Sequence, residues 1–230
     1  MGLISNVWLI LIAAISYLLG SFPTAYYIAK QTIGKDIRQS GSGNIGAMNT
    51  YRLLKTEKST GMGIAGFVLS LAGDMGKGVL AIFVAKWLSF LGYNLLPALV
   101  IAGFFVVLGH NYSFFFKFKG GGRGISSLGG VVLALYPLGL LIGVATLILS
   151  IFVTEYAMGG RINWGKFSSV FSALGSQIVG RIAGLTVALI PLYFFGPIVF
   201  FPTLAADTLV LIKHINRTKV YIRQLSERQK

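Results

Sequence analysis

Apolar residues run without a single charge through positions 7–29, 96–109, 125–154 and 182–206, joined by short polar connections. Lipid hydrocarbon is roughly 30 Å thick, so runs of this kind are long enough to cross it, and only helices or closed barrels satisfy their backbone groups there. The pattern predicts helices at 6–29, 62–88, 95–110, 126–153, 167–180, 182–195 and 197–212. That is an all-α integral membrane bundle of about seven crossings, with the whole chain, 1–230, as one domain. The fifth segment, FSSVFSALGSQIVG, is the shortest: fourteen residues give about 21 Å of helix against that 30 Å core.

Charge decides whether to keep it. Hydrophobic residues make up 55% of the chain and charged ones only 11%, yet the formal net charge is +14. With seven crossings and the N-terminus outside, sixteen of the twenty Lys and Arg residues fall on the inner side, and only Lys86, Arg161 and Lys166 fall outside. Removing the fifth crossing alone would put the basic C-terminal tail outside, against the positive-inside rule. The basic residues therefore answer to a lipid bilayer, and nucleic acid is not an expected partner. The first basic residue is Lys30, so the charged region that precedes a secretory signal's apolar core is missing, and the opening segment is expected to stay as a membrane helix. There is no cysteine and no cluster of metal ligands, so neither a thioester intermediate, a metal nor another cofactor is expected.

Three polar clusters share the inner side. In SGSGNIGAMNTYR, residues 40–52, Gly41, Gly43 and Gly46 let backbone amides approach a ligand, Ser42, Asn44 and Asn49 add neutral donors, and Arg52 adds charge. Successive amides in such a turn form an anion-binding concavity. It is not a nucleotide P-loop, because Ala47 and Met48 stand where that motif needs Lys and Ser or Thr. In GHNYSFFFKFKGGGRG, residues 109–124, Lys117, Lys119 and Arg123 surround a triple glycine that includes Gly121. In KHINR, residues 213–217, His214 offers a proton carrier and Asn216 an orienting amide. Charges also lie within the membrane: Asp74 and Lys77, three apart on one helix face and able to neutralise each other, and Asp207.

These motifs, with YLLGSFPTAYYIAK and GDMGKG, resemble in order and spacing the acyl-phosphate-dependent glycerol-3-phosphate acyltransferases of bacterial inner membranes, the PlsY family. The resemblance is specific over residues 17–130 and weaker beyond. It implies an inner-membrane enzyme of seven helices with a cytoplasmic active site and C-terminus. Such an enzyme moves a fatty acyl group from acyl phosphate to the 1-hydroxyl of glycerol 3-phosphate. By the same resemblance Ser42 and Arg52 are the substrate-binding serine and arginine, and Asn44, Gly46 and Asn49 match the same motif. Lys119 and Arg123 stand for the two lysines of a KGGKG loop, and His214 and Asn216 for a C-terminal His-x-x-Asn pair. Departures are Met48 for threonine, Ser113 for proline, one extra glycine in the loop, and a C-terminal motif one residue short, which swings Asn216 by about 100° on a helix.

An acyl phosphate is already activated, so the protein need only orient the hydroxyl and stabilise the oxyanion and leaving phosphate. The chain is correspondingly poor in bases, and neither histidine starts a His-x-x-x-x-Asp pair, since position 115 is Phe and position 219 is Lys. Direct attack is expected, with substrate phosphate or His214 taking the proton and no covalent acyl-enzyme. The catalytic set is thus Ser42, Arg52, Lys119 and His214, with Gly43, Asn44, Gly46, Asn49, Gly121, Arg123 and Asn216 around phosphate. Two alternatives stay open: acylation of another polyol phosphate, and a transporter or binding protein for anions or lipids that uses Asp74, Lys77 and Asp207.

Overall fold

A computed structural model describes residues 2–90, 94–160 and 162–228, and among them there are helices and no strands. In chain order they are α1 (Gly2–Ser21), α2 (Thr24–Ile33), α3 (Ala47–Glu57), α4 (Thr60–Ser89), α5 (Leu95–Asn111), α6 (Ile125–Leu135), α7 (Pro137–Ala157), α8 (Phe167–Ser176), α9 (Ile178–Tyr193) and α10 (Pro197–Arg228). Side-chain oxygens of Ser59 and Asn94 cap α4 and α5 by accepting from Met62 N and Leu96 N. α5 is central: Ala98, Leu99, Ala102, Val106 and Val107 are completely buried within a core shared with α1, α4, α6 and α10. Helices meet through small residues. Gly20 lies on the backbone of Val106, Gly109 on Tyr17 and Ser21, and Gly130 on Met75, each where a Cβ would collide. Such close approach is how helices gain contact in lipid, where the hydrophobic effect does not drive them together. The outer surface is correspondingly apolar, with Leu141, Leu149 and Val153 of α7 and Ile190 of α9 exposed.

Among the described residues five helical segments are long and apolar enough to cross a membrane, or six if the bent pair α8–α9 counts as one. Two of the expected crossings are rearranged. The single helix expected at 126–153 is a hairpin: Tyr136 is extended (φ −157, ψ 99) and Pro137 opens α7, as the steric clash before proline favours. Gly129 faces Leu140 and Gly139 faces Val132, while Ile125 and Leu147 line the same cavity, so α7 runs back antiparallel to α6. The separate crossing expected at 167–180 is absent. α8, too short to span, packs Phe171 against Tyr51 and Phe67 at ring-centroid distances of 4.5 and 5.2 Å. It meets α9 at a 68° bend.

From there α9 runs antiparallel to α7, with Gly180 on Ile151 and Gly184 on Leu147. Tyr136 and Phe195 meet at the far end (4.5 Å between centroids), and α10 returns. The two differences cancel, so the start of α10's tail still shares a side with residues 40–52. What moves is the segment around 158–166, which carries Lys166 to that same side. Arg161 lies outside the described residues. α10 itself continues far beyond the expected end at 212, to Arg228.

The natural chain has no cysteine, so single cysteines report topology cleanly. Lys58→Cys and Lys166→Cys are expected to react with a membrane-impermeant maleimide from one face of sealed vesicles, and Phe90→Cys, at the other end of α4, from the opposite face. Labelling of Lys166→Cys together with Phe90→Cys would restore a single crossing at 126–153.

Candidate active site

Residues 34–46 carry no regular structure except a 3-10 turn at Ile37–Gln39, yet they lie against the bundle. Asn49 holds them. Its side chain is buried, its amide group donates to the carbonyls of Ile37, Ser40 and Asn44 at 3.0–3.2 Å, and its Oδ1 accepts from Ser42 N at 3.2 Å. Gly41 and Gly43 adopt left-handed backbone (φ 56 and 66), which residues with a Cβ enter only at a cost. The Asn49 amide is fully occupied in this way, so it shapes the loop from within. Arg38 ties the loop to its neighbour: it pairs with Asp36 and stacks 4.5 Å over the Phe116 ring. That hydrogen-bonded pairing holds the Asp36 carboxyl below its ordinary range.

The loop ends by starting a helix that the sequence pattern did not reveal. α3 begins at Ala47 after an extended Gly46. Its first amides have no intrahelical acceptor and carry the positive end of the helix dipole. Gly46, Ala47 and Met48 line a cleft of ≈ 230 Å³. The same cleft is lined by Asn44, Asp74, His110, Arg123, Ser126 and Arg181 on its polar side and by Phe67, Leu71, Leu147, Ile148, Ile151 and Leu174 on its apolar side. It could therefore hold an amphiphile whose anionic head meets arginines and helix-end amides and whose tail meets α4 and α7.

The glycine loop reaches this cleft by lying directly on the end of α5. Gly122 N donates to the His110 carbonyl at 2.9 Å. A Cβ on Gly121 would fall 2.4 Å from the His110 carbonyl oxygen, and one on Gly122 would collide with Nε2 of the His110 ring. Gly120 has room, its nearest neighbour being 3.7 Å away, so it is the position that an extra residue in this loop can occupy without disturbing the rest. Arg123 lines the cleft, whereas Lys117 and Lys119 are exposed and do not line it. Gly121 lines a smaller recess behind, with Asp74, Lys77 and His110. There Lys77 donates to Asp74 Oδ1 at 2.5 Å and His110 Nδ1 lies 3.8 Å from the same oxygen, so the expected neutralising pair forms.

The remaining expected residues divide. Ser42 is exposed and Gly43 half-buried at the loop's rim, and Arg52 is half-buried on α3. His214 is completely buried on α10, within electrostatic reach of Arg181. Its Nδ1 is 2.8 Å from the Val210 carbonyl, and because a carbonyl only accepts, Nδ1 carries a proton. Nε2 is buried and has no hydrogen-bonding partner among the described residues. Lys213 donates to the Asn111 carbonyl at 3.0 Å and stacks on Tyr112, which fastens this part of α10 to the end of α5. The Asn216 side chain lies outside the described residues. Asp207 lines a different cavity, of ≈ 90 Å³ and apolar, between the α6–α7 hairpin, α9 and α10. Sequence reasoning missed Arg181 and His110 as cleft residues. Arg181 has no motif neighbour that marks it, whereas His110 lies within the 109–124 motif itself, at its helical end.

Asn49→Leu is expected to lower stability by roughly 3 kcal/mol, because the two N–H donors and the Oδ1 acceptor of the amide are lost, at about 1 kcal/mol each. Gly121→Ala and Gly122→Ala should also lower the melting midpoint in detergent, while Gly120→Ala leaves it unchanged; equal effects at all three glycines would contradict the packing described.

The family model for glycerol-3-phosphate acyltransferase matches residues 10–224. The chain is 35% identical over 181 residues to a glycerol-3-phosphate acyltransferase of Clostridioides difficile, covering 78% of this chain and 82% of that one. It is 34% identical over 205 residues to one from Geobacter sulfurreducens, covering 89% of each. Its fold is similar to the crystal structure of PlsY (YgiH), an integral membrane glycerol 3-phosphate acyltransferase, in its glycerol 3-phosphate form. The TM-score there is 0.67 at 24% identity, over 94% of this chain and 92% of that one.

Proposed function

The chain belongs to the glycerol-3-phosphate acyltransferase family, and from that premise we propose that it transfers a fatty acyl group from acyl phosphate to the 1-hydroxyl of glycerol 3-phosphate, releasing phosphate and lysophosphatidic acid. The observation that carries this reading is the cleft itself. Its lining combines Arg123, Arg181, the Asn44 amide, the start of α3 and the Asp74 carboxylate with aliphatic and aromatic side chains of α4, α7 and α8. A water-soluble phosphate and a lipid-soluble donor meet only in a site of that dual character at the membrane surface.

In this reading Arg52 and Arg123 hold phosphate, and Ser42, Asn44 and the amides of Gly43 and Gly46 orient it. Gly121 brings the second loop close enough to take part. Lys119, on the exposed side, raises the local concentration of dianions at the mouth. Asn49 acts through the loop it braces. The acceptor hydroxyl attacks the acyl carbonyl carbon, the carbon–oxygen bond to phosphate breaks, and the hydroxyl proton passes to a substrate phosphate or to His214. Asn216, expected as an orienting amide for phosphate, is part of the same proposal. We place the cleft on the cytoplasmic side of the inner membrane, with the N-terminus outside, because the basic residues gather on the cleft side.

Purified protein incubated with palmitoyl phosphate and a panel of polyol phosphates is expected to form lysophosphatidic acid from glycerol 3-phosphate, identified by mass, and to form none from palmitoyl-coenzyme A. Arg52→Ala should cut kcat/KM for glycerol 3-phosphate roughly 10- to 100-fold, the worth of a charge-assisted contact of about 1.5–3 kcal/mol. Wild-type turnover by that variant at limiting glycerol 3-phosphate would refute the assignment.

A further inference from the structure

Arg181 sits at the start of α9, only 8% exposed, yet it lines the cleft. Its Nε donates to the Gln177 carbonyl at 2.9 Å and its Nη2 to the Gly175 carbonyl at 2.8 Å. A guanidinium has five N–H donors, so three remain for the cleft. Arg52 arrives at the same place from α3: a Cβ on Gly175 would lie 2.6 Å from its Nη2. Two guanidiniums from helices far apart in sequence therefore meet around Gly175, and His214 lies within electrostatic reach of one of them.

Among the described residues neither arginine has a carboxylate partner. Asp36 pairs with Arg38, Glu57 with Lys35 and Asp74 with Lys77, while Glu155 accepts from Gln177. Burying one cation beside another at the edge of a membrane is costly unless an anion joins them. Arginine's planar fork suits a phosphate that both can grip.

We propose that Arg181 is a phosphate ligand, forming with Arg52 a two-guanidinium clamp for the dianion of a substrate. Its identification with substrate rests on the acyltransferase reading; the anion site does not. Phosphate is common to glycerol 3-phosphate and the acyl phosphate, and the two are separated by their Michaelis constants.

The test uses the purified full chain and its Arg181→Gln and Arg181→Lys variants. Inorganic phosphate should raise the melting midpoint of the wild type, have no effect on Arg181→Gln, and have a reduced effect on Arg181→Lys. KM for one of the two phosphorylated substrates should rise tenfold or more in Arg181→Gln, with a smaller change in kcat, and the substrate affected identifies the phosphate held. Unchanged phosphate stabilisation with unchanged KM for both substrates would overturn the proposal. So would failure of both variants to fold, which would assign Arg181 to clamping the α8–α9 bend. A wild type that is stabilised by phosphate but never turns over acyl phosphate would sink the acyltransferase reading and leave the clamp standing.

Discussion

Irregular backbone beside lipid must find every hydrogen-bond partner within the protein, and the two loops that build the cleft obey this in different ways. The first is organised around one buried asparagine, whose amide satisfies three carbonyls and one N–H of residues 37–44. The second is laid on the end of α5, where Gly122 bonds the His110 carbonyl and Gly121 leaves no gap for a side chain. Arg38 then stacks on Phe116 and joins one loop to the other. The phosphate-facing amides, Arg123 and the start of α3 keep their places only because these interior partners exist.

Helix packing supplies the other wall. The α6–α7 hairpin turns at Tyr136–Pro137 and lies against α4 through Gly78 and Gly130, while α9 fits along α7 through Gly180 and Gly184. The apolar part of the cleft is made by the returning helix, at Leu147, Ile148 and Ile151. α8, bent away from α9, lines the cleft with Leu174, packs Phe171 on Tyr51 and Phe67, and presents Gly175 to Arg52. A straight crossing at 126–153 would have carried these residues to the far side of the bilayer and left the cleft without its lipid-facing half.

The charges follow the same division. Lys77 and Asp74 neutralise each other inside the bundle. The arginines around the cleft are left for something that is not part of the chain. A protein with twenty basic residues and six acidic ones cannot pair them all internally, and the positive-inside bias accounts for most of the exposed excess. It does not account for a buried guanidinium.

Apolar run length by itself determined that this is a helical membrane protein, since no soluble core accommodates such segments. The spacing of glycines, hydroxyl residues and basic residues was enough to single out residues 40–52 and 109–124, because backbone approach and charge are local properties. Hydropathy reads straight across Pro137 and predicts one helix there, whereas the fold breaks at this proline, which restricts the residue before it. Other features depended on long-range contact. Asn49 was read as a ligand and is instead the centre of the loop, because only folding places four backbone groups around it. Lys119 and Arg123, four apart and alike in charge, part company because the glycines between them follow the contour of α5: Arg123 lines the cleft and Lys119 is exposed away from its lining. Arg181 carries no local mark at all: it becomes part of the site only when α9 leaves α8 at an angle and sets it beside an arginine more than a hundred residues earlier in the chain. Local chemistry is written in neighbouring residues, whereas the meeting of distant side chains is decided by how helices pack.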